Sequence, residues 1–392
     1  MIRAQADAVL VLADDLTGAA ETAAVLMPAA GAALIALSGP PFTSAPPVLV
    51  GDLGTRYHPD AKALVRAALA DADGRTVLIK IDSLLRGNVA ATVAAASLDA
   101  PVVMAPALPS AGRTVVDGVP YVQGVPLRET RTWHIEPRPA PRTVAEALDG
   151  HPFTHIPLAT VRAGHPTLTE ALARAFGAAG RVAICDAETD ADLDAVVAAA
   201  FAADPRTRLV GAGGLATALA RARDGGSDGE GHPPPPEGPP PGAPLLVIVG
   251  TAHPGVSDQV ELLIRYGVQQ VALDPAEPPD ITAPRLRRAL DTGPTVLTTS
   301  GPLPDALEEI VQDALGDRPA NLVMTGGGTA RRVLDALGVR ELTPVGQVHH
   351  GAVHCHTPQG HAVITRPGGF GGRDSLLRMT AHLAPHHFER HT

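Results

Sequence analysis

Aromatic side chains are nearly missing from this chain: one Trp, three Tyr and six Phe occur in 392 residues. The core must then be built from Ala, Val and Leu, at an ordinary hydrophobic content of 45%. Only two cysteines are present, Cys185 and Cys355, far apart and in no zinc-ligand spacing, so disulfides are not the organising principle. No apolar run reaches the length of a membrane span. The first residues lack the uninterrupted apolar core and small-residue cleavage site of a signal peptide. Positive charge is not in excess either. A formal net charge of −10 argues against nucleic-acid binding, which needs a basic face. It does not argue against phosphate ligands, for which a few local cations and backbone amides suffice. These absences lead us to expect a reducing, cytoplasmic protein with no membrane and no nucleic-acid partner.

What is present is an alternation of short apolar runs with Ala-rich helical stretches, twice over. The alternation breaks at Asp224 to Pro244, DGGSDGEGHPPPPEGPPPGAP, where proline removes backbone donors and nothing can bury a core. Such a segment is a semi-rigid spacer, more often a connector than a recognition motif. The expected organisation is therefore residues 1–223, a linker over 224–244, and residues 245–392. Strands are expected at 8–12, 34–37, 48–50, 77–81, 102–104, 182–185 and 209–211, and after the linker at 245–249, 270–273, 295–298, 322–324 and 362–365. Continuous apolar strands interleaved with helices predict α/β domains, each with a mostly parallel sheet flanked by helices. In such sheets ligands bind outside the carboxyl ends of the strands, and two such domains suggest an active site in the cleft between them.

Residues 9–23, VLVLADDLTGAAETA, are the most informative stretch. A strand ends in Asp14 and Asp15, then Thr17 and Gly18 open a helix. Two acids at a strand end can orient a polyhydroxy ligand, take a hydroxyl proton or help hold Mg²⁺; the plainer reading is that Asp15 caps the helix. A second strand end, KIDSLLRGN, gathers Lys80, Asp82, Ser83, Arg86, Gly87 and Asn88. Arg offers a planar fork suited to carboxylate or phosphate, while Asp, Ser and Asn suit sugar hydroxyls. Residues 106–130, PALPSAGRTVVDGVPYVQGVPLRET, read either as a long functional loop or as a β-hairpin turning at Asp117-Gly118.

In order and content these three segments resemble the four-carbon acid sugar kinase family. Its N-terminal half shows an aliphatic run followed by ADDLTGA, then K-I-D-S-x-L-R-G-N, then PA-x-P-x-x-GR-T-x-x-G-x-x-Y-V-x-G-x-P-L-x-E-T. The resemblance runs nearly end to end, weakest over 133–181. It implies an enzyme that phosphorylates a four-carbon acid such as threonate, erythronate or 3-oxo-tetronate with ATP and Mg²⁺. The N-terminal half would bind the acid and the C-terminal half ATP. Asp14, Asp15 or Asp82 would act on the hydroxyl proton. Thr17, Lys80, Ser83, Gly87 and Asn88 would meet the substrate, with Arg86 and Arg56 holding its carboxylate. The resemblance leaves room for a homo-oligomer.

In the C-terminal half, Met324 to Leu337 reads MTGGGTARRVLDAL: a strand, a glycine turn and a helix start. Glycine lets backbone approach phosphate, and a helix N-terminus presents free amides. The turn is neither a Walker A loop nor GxGxxG, and a purely structural turn is an equal reading. A second cluster, RPGGFGG, covers 366–372. The resemblance implies nucleotide contacts at Gly326, Gly327, Gly328 and Thr329, and at Arg366, Gly368, Gly369 and Gly371. Phe370 is expected to plug the core. Two departures stand out: Arg366 where the family often has lysine, and Gly250-Thr251-Ala252-His253 where it often has G-S-C-S, with Thr251 and His253 still expected at the nucleotide. These departures are the support for a rival reading, a sugar-acid-binding protein that has lost catalysis. A nicotinamide oxidoreductase ranks last, since its fingerprint is missing. Residues 347–357, QVHHGAVHCHT, are not a zinc pattern and are expected to form a solvated connection. In a strand, His354 and His356 would share one face with Cys355 opposite. The His386, His387 and His391 tail is expected to be a flexible terminus.

Overall fold

The computed structural model describes residues 8–42, 44, 46–133, 136, 138–223, 236–250, 255–299, 303–368 and 370–388. The chain divides into two compact units, 1–232 and 233–392. Most of the expected linker, 224–235, lies outside the described residues, as do Thr251, His253, Gly369 and His391.

In the first unit the strands are β1 (Val9–Ala13), β2 (Ala33–Ala36), β3 (Val48–Asp52), β4 (Thr76–Lys80), β5 (Val102–Ala105), β6 (Arg113–Val116), β7 (Val119–Val122), β8 (Val125–Pro126), β9 (Thr154–Ile156), β10 (Val182–Cys185) and β11 (Arg208–Gly211). Eight of these, among the described residues, form one sheet in the order β2-β3-β1-β4-β11-β5-β10-β9. Every neighbouring pair in it is parallel. Parallel strands are covered on both faces, which is why β1 and β3 are buried at every position. Leu10, Leu12, Leu49, Ile79, Met104 and Ile184 belong to one apolar cluster of buried Val, Leu, Ile, Ala and Met, as the shortage of aromatics requires. Chain order reverses around β1, which has β3 on one side and β4 on the other. A crevice opens at the carboxyl ends of strands at such a reversal.

Residues 106–130 are not a structureless loop. β6, β7 and β8 make a small antiparallel sheet, and Asp117 (φ 50°) and Gly118 (φ 72°) form the left-handed turn that joins β6 to β7. The side chain of Asp186, fully buried just after β10, fixes this turn. It accepts from Asp117 N at 2.7 Å, Gly118 N at 3.0 Å, Leu158 N at 3.2 Å and His155 Nε2 at 3.0 Å.

In the second unit the strands are β12 (Leu245–Val249), β13 (Gln269–Leu273), β14 (Thr295–Thr299), β15 (Asn321–Thr325), β16 (Glu341–His349), β17 (Ala352–His356) and β18 (Ala362–Arg366). Their order is β13-β14-β12-β15-β18-β17-β16. The first five run parallel, while β18-β17 and β17-β16 are antiparallel. The order again reverses, around β12. Residues 347–357, expected to be a solvated connection, are thus mostly a hairpin. His354 and His356 do share a face, with ring centroids 4.8 Å apart, and Cys355 is buried opposite. Part of the tail expected to be flexible, Pro385–Phe388, forms a short helix, and Phe388 is buried and packs on Tyr266 at 6.3 Å between ring centroids. No helix among the described residues is long and apolar enough to cross a membrane.

Candidate active site

The carboxyl ends of the adjacent strands β1, β3 and β4 bring together Asp14 and Asp15, Arg56, and the segment 80–88. Asp15 is the N-cap of the helix Leu16–Ala30: its Oδ1 accepts from Gly18 N at 2.9 Å and its Oδ2 from Thr17 Oγ1 at 2.7 Å. The capping role is therefore real, but it is not the whole role. Arg56, just beyond β3, donates Nε and Nη2 to the two oxygens of Asp14 at 2.9 and 2.8 Å, and Nη1 to Asp15 Oδ2 at 3.0 Å. One guanidinium therefore bridges both acids, with side-chain exposures of 17% for Arg56 and 9% for Asp14.

The environments of the two acids differ. Burial raises the pKa of Asp14, and the neighbouring Asp15 charge adds to that against the pull of Arg56. Burial alone would also raise Asp15, but Arg56, Lys80, the Thr17 hydroxyl and the helix-end amide of Gly18 outweigh it and hold its carboxyl below the usual range. Asp15 is the fixed anion of the pair and Asp14 the one with the higher proton affinity.

Lys80 ends β4 and is buried; its Nζ donates to Ile81 O at 3.3 Å and lies 3.8 Å from Glu21 Oε2. Gly18 admits this approach. A Cβ there would stand 2.8 Å from Asp15 Oδ1 and 3.1 Å from Lys80 Nζ. Asp82 organises the turn that follows, accepting from Leu84 N at 3.1 Å and Arg86 N at 3.2 Å. It also takes both Nε (2.8 Å) and Nη2 (2.7 Å) of Arg86. Burial would raise the Asp82 pKa, yet Arg86 and Arg56 drive it well below the carboxylate range. Ser83 Oγ accepts from Arg113 Nη1. Asn88 spends its amide on the loop after β3, donating to Thr55 O at 2.9 Å and His58 O at 2.7 Å. Gly87 (φ 81°) lies so close to Arg56 O that no Cβ fits.

Asp14, Asp15, Thr17, Arg56, Lys80, Asp82, Ser83, Arg86, Gly87 and Asn88 thus occupy one corner of the first unit. Two members were not anticipated. Glu21 is the lone carboxylate in an Ala-rich helix, one turn past Gly18, a pattern that could have flagged it. Arg113, at the start of β6, is the arginine of the GR-T segment, which could have flagged it.

In the second unit, the reversal around β12 gathers Gly250, Thr325 and Thr329. Gly250 N donates to Thr325 Oγ1 at 3.2 Å. A Cβ on Gly250 would fall against Thr329 Oγ1. Gly326 (φ 89°) takes the left-handed conformation that starts the helix Gly327–Ala336, and no side chain caps that helix. Over Gly328 there is open space. An uncapped helix N-terminus reached through bare glycine suits an anion. Arg366, at the end of β18, is fully buried. Gly371 packs against its guanidinium, where a Cβ would stand 2.6 Å from Nη1. Gly368 lies between them in the turn. Phe370, expected to plug the core, is instead half-buried, tilted against the His350 ring at 5.7 Å between centroids and lying over Gly351.

Comparison with known proteins bears on both halves. Residues 9–219 match the family model described as a sugar-binding N-terminal domain, and residues 295–376 that of a nucleotide-binding C-terminal domain. A D-threonate kinase of Cupriavidus necator is 32% identical, over 96% of this chain and 99% of its own. A D-threonate kinase of Bordetella bronchiseptica is 30% identical, over 97% and 98%. A 3-oxo-tetronate kinase of Methylobacterium radiotolerans is 27% identical, over 95% and 98%. The fold is similar to that of a Salmonella typhimurium protein called a putative tRNA synthase, with a TM-score of 0.79 at 21% identity over 95% of this chain and 99% of that one.

Proposed function

The chain belongs to the family of four-carbon acid sugar kinases, and from that premise we propose how its residues divide the work. It is an ATP-dependent kinase of a four-carbon sugar acid. The first unit takes the acid and the second takes ATP, a division supported by the two family models. Among the acids, a threonate-type substrate is the first candidate, because the two full-length relatives at 30% identity or above are named D-threonate kinases. The acceptor is the terminal hydroxyl at C4, and ATP enters as its Mg²⁺ complex. A cytoplasmic location belongs to the same reading.

The observation that carries the mechanism is the Arg56-bridged pair of acids, whose proton affinities are pushed apart. Such a split marks which group takes a proton and which stays charged. Asp14 accepts the proton of the substrate hydroxyl as its oxygen bonds to the γ-phosphorus and the bond to the ADP oxygen breaks. Asp15 stays ionised and keeps Arg56 in place. Phosphoryl transfer needs mostly positioning and charge stabilisation. Arg56 has all three of its nitrogens engaged, whereas among the described residues Arg86 engages Asp82 through Nε and Nη2. Arg86 Nη1 is then the donor left for the substrate carboxylate, and Lys80 and Ser83 meet its hydroxyls.

The test is ADP release from MgATP against a panel of threonate, erythronate and 3-oxo-tetronate stereoisomers. Turnover on one of them, abolished in Asp14→Asn, supports the reading. Absence of turnover on every acid by a protein that binds MgATP overturns it.

A further inference from the structure

Glu21 is the only charged residue of the helix Leu16–Ala30, and it is buried. A lone carboxylate in such a place is costly. Two neighbours answer it. Its Oε2 lies 3.8 Å from Lys80 Nζ. Its Oε1 lies against Gly213, where a Cβ would stand 3.2 Å away, and Gly213 opens the helix Gly213–Arg223. Bare glycine there lets the carboxylate approach a helix N-terminus, the end that favours an anion. That helix packs on Leu16–Ala30. The position of Glu21 is thus set by two elements, and its charge is directed at Lys80.

Lys80 stands within reach of other acids. It pairs across the sheet with Ala13, the residue before Asp14, and its carbonyl accepts from Asp14 N at 3.2 Å. Its ammonium and the Asp15 carboxylate flank the bare Gly18. Yet among the described residues the ammonium forms its ion pair with Glu21, while Asp14 and Asp15 pair with Arg56. Arg113 of β6 meets the same corner: burial lowers its pKa, and the charges of Asp82 and Glu21 oppose that. Burial raises the Asp14 pKa, and Lys80 is among the charges that pull it back. A lysine is a point charge on a flexible stem, so the anion that holds it decides how strongly it acts on Asp14.

We propose that Glu21 is a positioning residue of the reaction: it holds the Lys80 ammonium beside Gly18 and off the two aspartates, leaving Asp14 free for the substrate hydroxyl. This rests on Asp14 being the base of the kinase reading. Glu21 touches neither substrate nor nucleotide in this role and acts through Lys80. A lone ammonium is not tolerated where Lys80 lies, so without Glu21 it turns to the nearest carboxylates, Asp15 and Asp14. Arg56 already bridges those two, and a second cation there makes Asp14 a weaker base. The site then fails although every residue that meets the substrate is still present.

The experiment is a titration of the Asp14 carboxyl by isotope-edited NMR on the full-length protein, with the signal assigned by its loss in Asp14→Asn, beside kcat measured across pH. In Glu21→Gln the Asp14 midpoint is expected to fall by about one unit, the low end for a carboxylate gaining a cation. The acid limb of kcat should move down with it and the plateau should drop, while the KM for ATP stays as in wild type. Glu21→Asp, which keeps the charge, should restore the midpoint and the limb. In a Lys80→Met background, Glu21→Gln should leave the midpoint in place, because no ammonium remains to turn. The doubly substituted protein loses both charges together and is expected to fold. That pattern supports the proposal. A midpoint that stays put in Glu21→Gln, as a merely structural role requires, overturns it, and so does one that moves equally with and without Lys80. A Glu21→Gln protein that fails to fold overturns it too, since Lys80 then found no other carboxylate. The titration is read without substrate. Lack of turnover on every acid would therefore remove the kinase assignment and leave the midpoints to decide the role of Glu21.

Discussion

Arg56 and Asp14 meet as a closed fork, Nε and Nη2 of the arginine each reaching one carboxylate oxygen, at 2.9 and 2.8 Å. Two residues 42 positions apart in sequence thereby set the charge at the end of β1, and Asp15 shares the same guanidinium.

The first prediction concerns which acid does what. Asp14→Asn should cut kcat by about 10²–10⁴-fold, the usual worth of a general base, with a smaller effect on the KM for the acid. Asp15→Asn should keep more activity and cost about 1 kcal/mol of stability through the weakened cap. Because the Asp14 pKa is raised, its basic form is lost first as pH falls. The wild-type rate should decline on the acid side before the protein unfolds. Steady-state kinetics across pH, with urea titrations of both variants, would check this, and equal losses in the two variants would sink the assignment.

The second concerns acid stability. The Asp82 pKa is depressed in the folded state, so its contribution is fully present above the unfolded carboxylate value of about 3.9. That contribution is lost as pH drops through the folded value. Asp82→Asn should therefore lower stability at neutral pH by about 3 kcal/mol, the low end for breaking a buried pair, since the Arg86 side chain is 24% exposed. It should also flatten the dependence below pH 4. Denaturant midpoints at pH 7 and pH 3.5 would show it.

Gly87→Ala should destabilise by about 1–3 kcal/mol, the order of strain for a side chain held at positive φ. The same Cβ also meets Arg56 O, so activity should fall with stability. An alanine variant of wild-type stability and rate would contradict the contact.

Asp186→Ala removes a buried acceptor from four donors. About 2–5 kcal/mol should be lost as those donors go unsatisfied. Amide exchange at Asp117 and Gly118 should rise most steeply, because those two amides lose their partner directly.

Most of the parallel strands were legible because they are short apolar runs ending in polar or glycine residues. Val182–Cys185 and Leu245–Val249 fall where the sequence put them. The β16-β17 hairpin was hidden because its pattern is not apolar. It carries Pro344 and a run of histidines, with register shifts at 344–346 and 347–349, and its turn uses Gly351 at φ 77°. Thr154–Ile156 is three residues long and too short to announce itself. In the candidate site, residue types were readable but pairings were not. That Arg56 and Arg86 are tied to Asp14 and Asp82, or that Asn88 serves the 55–58 loop, follows from which strands lie side by side. Periodicity along one strand carries no such information. Glu21 and Arg113 both stood in readable patterns, a lone carboxylate in an Ala-rich helix and the GR-T segment, but their partners Lys80 and Ser83 did not.

The buried pairs at the ends of β1 and β4 also limit how this chain can change. Losing Arg56 from its two acids, or either member of Asp82–Arg86 or Lys80–Glu21, strands the remaining charge in a place where lone charge is not tolerated. Single substitutions there are dead ends that only a second, matching substitution repairs, and the effects of the two do not add. A variant library built one residue at a time would find these paired positions largely intolerant. A library that exchanges the partners together would find the routes by which such a site can be remodelled.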